Sequence, residues 1–292
     1  VGASGTLGRH LLADLPHAIG TTRLDSVRNL KMEITNEDQV RRVIDDVRPS
    51  CVINTAAMTS VDGCERDPAT AQKVHVDGTR HLVGACEAYG ARLIHLSTNY
   101  VFDGAAGPYR EDDPTNPLSV YGRSKLESEP LVLSSAAPGI VVRTAVFYGD
   151  EIDRPNFLTW ALRELVSGRR IRIVTDEWAN PTYVPELSAA LTALASSTFQ
   201  QGGLFHTAGA DFMTRYEMVI GLCDVFGLDQ DLVAPVISQD LQQAATRPTR
   251  AGLRTDKIQE SAGVTLRPYR VNLSELRDRI GDLDAWMETS RS

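Results

Sequence analysis

No stretch of this 292-residue chain is apolar for anything near the length of a membrane span, so it does not read as a membrane protein. The opening residues show no signal-peptide pattern. Cysteine is sparse: Cys51, Cys64, Cys86 and Cys223 stand far apart without metal-type spacing. That predicts small buried hydrophobes in a reducing, cytoplasmic compartment rather than disulfides or a metal site. The six histidines form no cluster along the chain and receive no chemical role. Basic charge is in deficit, and the net charge of −8 argues against a nucleic-acid surface. Lysine is scarcest of the charged residues, with only Lys31, Lys73, Lys125 and Lys257. Repeats, low-complexity tracts and Gly/Pro/Ser-rich linkers are missing, so any two lobes should pack closely.

What remains is an ordinary globular composition, 42% apolar and 23% charged, in a chain long enough for one large α/β unit or two smaller ones. Short apolar runs alternate with helical patterns through the first half. Strands are predicted at 17–22, 30–34, 51–54, 92–97 and 139–144, and helices at 7–15, 37–47, 68–89 and 120–133. That alternation predicts a parallel, doubly wound sheet. Beyond residue 150 the rhythm loosens, with helices at 156–166, 185–195 and 216–226 and strands at 171–174 and 204–207. Residues 1–150 are therefore expected to form a dinucleotide-binding domain. Residues 151–292 are expected to form mainly a smaller substrate lobe, with segments around 171–200 returning to the first domain. The mixed-charge end, 287–292, offers no evident docking tail.

Three motifs carry chemistry. The first is VGASGTLG, with Gly2, Gly5 and Gly8 three apart: a tight turn, a close approach to a pyrophosphate, and close packing of helix on strand. Ser4, Thr6 and Leu7 belong to the same loop. Because the sequence opens directly on this turn, the strand that ordinarily precedes it is expected to be missing here. The second is Gly20-Thr21-Thr22-Arg23, past the second strand, where an acidic residue would hold the ribose hydroxyl of NAD(H). Thr22 and Arg23 suit a 2′-phosphate instead, which favours NADP(H), leaves NAD(H) open, and leaves Arg23 readable as a plain surface charge. The third is YGRSK, which puts Tyr121 and Lys125 one turn apart on a helix face. With so few lysines, about 0.1 such pairs are expected by composition alone. A phenol titrates near ~10, and a nearby ammonium should lower that and suit it to acid–base work.

Ser97, Thr98 and Asn99 end a buried strand. They either satisfy a local turn or face a ligand at the carboxyl end of the sheet, where Thr98 can meet Tyr121. The second reading is preferred because three motifs would then converge on one crevice.

With these residues in view, the chain resembles the extended short-chain dehydrogenase/reductases, most closely the dTDP-4-dehydrorhamnose reductase group. The resemblance is carried by VGASGTLG, NTAAMTSVDGCE, VDGTRHL, GARLIHLSTNYVFDG, PYREDDPTNPLSVYGRSKLESE, VVRTAVFYG, NPTYV and ATRP. It implies a Rossmann-type fold and hydride transfer from a nicotinamide to the C4 ketone of a nucleotide-activated deoxysugar. It makes Tyr121 the proton donor, Lys125 the residue that lowers its pKa and holds the ribose, and Thr98 the group that polarises the carbonyl. Glu33, Ile34, Ala56 and Ala57 fall on cofactor positions. Thr59, Val61, Asn99, Tyr100, Asn156 and Arg247 fall on substrate positions, although Asn156 reads equally as a helix cap and Arg247 as a surface charge. A homodimer is compatible with the resemblance, and no metal is assigned. Two departures stand out: Asn99 where the group has Asp, and Val146 where it has a Trp over the sugar. The chain is also similar to the regulatory β subunit of methionine adenosyltransferase, so a non-catalytic NADP-binding role is the alternative. An epimerase or dehydratase fits less well, because Asn99-Tyr100 stands where dehydratases carry an Asp-Glu pair.

Overall fold

The computed structural model describes residues 1–151 and 155–288; the last four residues of the mixed-charge end lie outside the described residues. The glycine turn is enforced by crowding. Gly2 has φ +81°, and a Cβ there would come within 2.8 Å of the Ala56 nitrogen. One on Gly8 would meet the Gly2 carbonyl oxygen at 2.4 Å, so helix α1 (Thr6–Asp14) presses against the turn only because residue 8 has no side chain.

The chain then runs through β1 (Thr21–Thr22), β2 (Leu30–Lys31), α2 (Glu37–Val47) and β3 (Cys51–Asn54). Asn36 caps α2 by accepting from the Gln39 N–H. The segment expected as one helix over 68–89 is divided. After α3 (Val61–Arg66) come α4 (Pro68–Gln72), a π-helical turn (Lys73–Asp77) that carries His75, and α5 (Gly78–Tyr89). Next are β4 (Arg92–Thr98), α6 (Val120–Leu133), β5 (Gly139–Thr144) and β6 (Phe147–Tyr148). The remainder is α7 (Phe157–Val166), β7 (Ile171–Val174), β8 (Trp178–Ala179), β9 (Thr182–Tyr183), α8 (Val184–Ala195), β10 (Gly203–His206), β11 (Met213–Thr214), α9 (Arg215–Phe226), β12 (Val233–Val236), α10 (Asp256–Ala262), α11 (Tyr269–Ile280) and α12 (Leu283–Glu288).

The main sheet is parallel, in the order β10-β5-β4-β3, with β1 and β2 forming a separate parallel pair. Val1–Ala3 links the two: the Val1 amine donates to the Ile53 carbonyl, and the Gly2 and Ala3 N–H groups donate to the Thr21 carbonyl. β1 and β2 are shorter than their apolar patterns predict, since ladder bonds form only around Gly20–Thr22 and Leu30–Met32. Period-two alternation sorts the strands onto two cores. Leu93 and Val141 pack with Val40, Ile44, Leu82 and Cys86 of α2 and α5, whereas Ile94, Ile140 and Val142 pack with Leu11, Leu187 and Leu191 of α1 and α8. The fold is α/β and doubly wound.

A third core gathers α7, α9 and α11 around Tyr148, Leu162, Leu222 and Leu273. Ile171 and Ile173 belong to this third core and β7 pairs with β12, while α8 packs on the main sheet. Within 171–200, therefore, α8 lies against the main sheet and β7 against the third core. The β7 and β12 ladder joins residues about 60 apart, which local patterning does not reveal. An apolar groove of about 480 Å³, lined by Leu11, Leu15, Ile44 and Cys51 among others, runs under Val1 and away from Tyr121. All four cysteines are free. Among the described residues no helix is long and apolar enough to cross a membrane.

Candidate active site

Ser97, Thr98 and Asn99 at the end of β4 each find a different partner. Ser97 donates to Oε1 of Glu129 at 2.5 Å. Thr98 accepts the Tyr100 N–H at 3.2 Å, its hydroxyl donates to Asn99 Oδ1 at 3.4 Å, and it lies close enough to the Tyr121 phenol to favour the phenolate. Asn99 is buried and its Nδ2 donates to the Ala251 carbonyl at 2.8 Å. An ionised Asp has no hydrogen to donate there, so the amide suits this chain's packing of the 251 loop. Ser97 and Asn99 thus bond distant parts of the chain, and of the three only Thr98 closes a local turn.

Ser119 caps α6 by accepting from the Gly122 N–H, which starts the helix one residue before Tyr121. Tyr121 is partly exposed, its ring flanked edge-on by His75 at 5.6 Å and Tyr100 at 5.9 Å. Burial pushes the phenol up to about 12, against the lowering effect of the nearby Thr98 hydroxyl. This differs from the expected lowering by Lys125, which is not among the groups that move it. Removing the phenol from water disfavours the phenolate more than its neighbours favour it. The group is thus a protonated acid at neutral pH. Lys125 is buried at 2% exposure, and burial brings its ammonium down to about 8, partly opposed by Glu129.

The histidines given no role in the sequence lie behind these two residues. His75 accepts the Met58 N–H on Nε2 at 3.0 Å, so its Nδ1–H faces the Ser124 hydroxyl at 2.8 Å. His95 Nε2 lies 3.0 Å from the Ser128 hydroxyl and 3.2 Å from Lys125 Nζ. Burial, then Lys125, lowers both imidazoles, His75 to about 3 and His95 well below its ordinary range. Ser124 and Ser128 sit three residues after Tyr121 and Lys125, and that spacing was the available signal. The histidines themselves are some 50 and 30 residues away in sequence.

Of the expected cofactor residues, Gly2 through Gly8 form the turn into α1, whose N-cap residue Gly5 offers no side-chain cap. A Cβ on Gly5 would meet protein no closer than 3.4 Å, so that edge of the loop is open. The helix N-terminus with an open glycine edge fits a pyrophosphate. Arg23 is exposed, and the Thr22 hydroxyl is occupied by the Leu24 carbonyl at 2.6 Å. Glu33 accepts the Thr35 N–H, Ile34 is buried, and Ala56 and Ala57 follow β3, where the Ala56 N–H bonds Asn54.

On the substrate side, Thr59 is exposed and Val61 begins α3. Arg247 is not a free surface charge: it donates to Asp62 at 3.1 Å and to the Ala245 carbonyl, tying the 245–247 loop to α3, and it holds Asp62 below the usual carboxylate range. Asn156 is the cap of α7, its Oδ1 accepting from Leu158 and Thr159 N–H while its buried Nδ2 has no partner. Buried Glu177 and half-buried Arg215, which no motif flags, lie 4.0 Å apart, and Arg215 stacks 4.8 Å over Phe157. One His/carboxylate cluster also escaped the sequence: His10 with Asp150 and Glu151, at 3.6 and 3.7 Å, joining α1 to a loop some 140 residues later.

The comparisons agree with this architecture. The family model of the RmlD substrate binding domain matches residues 1–281. A dTDP-4-dehydrorhamnose reductase from Streptomyces griseus is 36% identical over 285 residues, covering 94% of this chain and 90% of the relative. The methionine adenosyltransferase 2 subunit beta of Bos taurus is 30% identical, covering 94% and 85%. Among solved structures, dTDP-4-dehydrorhamnose reductase from Bacillus anthracis in complex with NADP superposes with a TM-score of 0.84 at 26% identity, covering 95% of this chain and 97% of that one. With the doubly wound sheet, the glycine turn and the Tyr121 and Lys125 pair in place, the chain belongs to the RmlD substrate-binding-domain family.

Proposed function

We propose that the protein is an NADPH-dependent ketoreductase of the dTDP-4-dehydrorhamnose reductase type, acting on the 4-keto group of a nucleotide-activated deoxysugar. The observation that carries this reading is the meeting of Thr98, at the carboxyl end of a central strand, with the phenol of Tyr121, on the helix that also buries Lys125. The reductase relatives, and the Bacillus anthracis enzyme in complex with NADP, support it.

When bound, the nicotinamide supplies a hydride to the carbonyl carbon. Tyr121 gives its phenolic proton to the carbonyl oxygen, Thr98 donates a hydrogen bond to that oxygen, Lys125 holds the nicotinamide ribose, and solvent reprotonates the phenolate left behind. Gly2 to Gly8 and the start of α1 hold the pyrophosphate, Arg23 favours a 2′-phosphate with NAD(H) left open, and Glu33, Ile34, Ala56 and Ala57 line the adenosine and nicotinamide sides. Thr59, Val61, Asn99, Tyr100, Asn156 and Arg247 face the sugar nucleotide, Asn156 through the Nδ2 that its cap leaves unused. In this reading residues 1–150 bind the cofactor and the later chain mainly the substrate, in the cytoplasm, and a homodimer is compatible with it.

The test is NADPH consumption across a panel of 4-keto-6-deoxy nucleotide sugars, with the alcohol formed one for one. Tight NADPH binding with no sugar turned over, together with retention of a methionine adenosyltransferase in a pull-down, would replace this reading with the regulatory one. The loop makes its own prediction. Gly5→Ala is expected to leave the melting temperature unchanged and weaken NADPH binding by about tenfold or more. Gly8→Ala, whose Cβ would strike the Gly2 carbonyl, should lower the melting temperature itself. Fluorescence titration and thermal melts separate the two.

A further inference from the structure

Behind Lys125 runs a closed chain of buried polar groups. The Ala56 N–H donates to Asn54 Oδ1 at 3.1 Å, which fixes the amide and turns its Nδ2 toward His95 Nδ1, also at 3.1 Å. Nδ1 must then accept, so the single proton of the neutral imidazole sits on Nε2. That Nε2–H donates to Ser128 Oγ at 3.0 Å, and Ser128 passes its own hydroxyl hydrogen to the Lys125 carbonyl at 2.6 Å. Asn54, His95 and Ser128 are all buried at 3% exposure or less.

The consequence for Lys125 is a matter of sign. Its Nζ stands 3.2 Å from Nε2. If Nε2 were a bare lone pair it would accept from the ammonium and favour the charge. Carrying a proton, it turns a donor edge toward an ammonium that is itself only a donor, and so it favours the neutral amine. Other groups around the lysine are Glu129, one turn on along α6 and held in turn by Arg143 of β5; Tyr121, one turn back; and the neutral His75 of the π-helical turn. Glu129 is the one anion among them, and it works in the opposite sense to His95.

We propose that Asn54 and His95 form a positioning device for Lys125, in which a neutral imidazole protonated on Nε2 anchors the lysine's turn of helix through Ser128 and biases its side chain toward the free amine. The inference rests on the ketoreductase reading only for its kinetic consequence; the tautomer and the lysine's titration exist without any substrate.

Two measurements on the full chain test it. In wild type, ¹⁵N long-range imidazole spectra should show His95 with a protonated Nε2 and a bare Nδ1, unchanged on acidification to pH 5 while the protein stays folded. A protonated Nδ1, or an imidazolium, would overturn the proposal without any variant. Next, ¹³Cε-lysine spectra, simple with four lysines, should show Lys125 titrating at about 8. His95→Gln, whose carbonyl can accept from the ammonium, should raise that midpoint by a unit or more, a tenfold change in the protonation equilibrium. A folded His95→Gln with an unmoved Lys125 midpoint would overturn the tuning role and leave His95 a core residue. If the sugar panel shows turnover, the alkaline limb of kcat should move with the same midpoint while KM for NADPH changes little. Silence on the panel with the predicted spectra would count against the ketoreductase reading alone.

Discussion

Tyr121→Phe is expected to cut turnover of the accepted keto sugar by about 10²–10⁴-fold, with NADPH binding and the melting temperature close to wild type. Phe keeps the ring that packs edge-on against His75 and Tyr100, so what disappears is the hydroxyl and its contact with Thr98. Because the phenol is raised to about 12, it stays protonated through neutral and mildly alkaline pH and is ready to act as the acid. If the Lys125 ammonium is needed for turnover, loss of activity on the alkaline side should begin near its value of about 8, well before the phenol itself ionises. Single-turnover NADPH oxidation followed across pH checks both statements. A Tyr121→Phe protein that retains more than a tenth of wild-type turnover would mean that the proton comes from elsewhere.

The second large effect concerns stability. Arg143 and Glu129 are each 3% exposed and meet in a two-point pair, Nε to Oε1 at 2.9 Å and Nη2 to Oε2 at 2.6 Å. Ser97 adds a third bond to the carboxylate, and the guanidinium lies 5.1 Å over Phe102. Two ions this deep repay their desolvation only because the geometry is bidentate and the remaining lone pairs are filled. Arg143→Met leaves the buried Glu129 without its guanidinium partner, and should cost about 3–5 kcal/mol, lowering the melting temperature by roughly 10 °C. Pairing it with Glu129→Leu should recover much of that loss, because neither member of the pair is then left buried without the other, although Lys125 loses its one neighbouring anion. Urea unfolding of the two single variants and the double completes the cycle. A double variant as unstable as the sum of its parts would show that the pair is not coupled.

Local information carried much of the architecture. Helix α2, strand β3 and helix α6 have the bounds that periodicity predicts, because their apolar spacing, caps and flanking turns all lie within a few residues of one another. The same holds for the glycine turn and for Tyr121 and Lys125, whose shared face follows from helical geometry alone. Strands β1 and β2 were overestimated because an apolar run becomes a strand only where a neighbouring backbone bonds it.

What no local pattern could disclose is which distant residue meets which. His95 behind Lys125, Arg247 on Asp62 across 185 positions, and the pairing of β7 with β12 came from the packing of the sheet. The tertiary structure also reversed one chemical expectation, raising the phenol of Tyr121 where proximity to an ammonium predicted lowering. The amino-acid order by itself determined the sheet-and-helix alternation, the glycine turn and the helix face bearing the phenol and the amine, since each depends on contacts between near neighbours. The protonation of those two groups, and the imidazoles that surround them, were decided only in the folded chain, because burial and long-range hydrogen bonds exist only there.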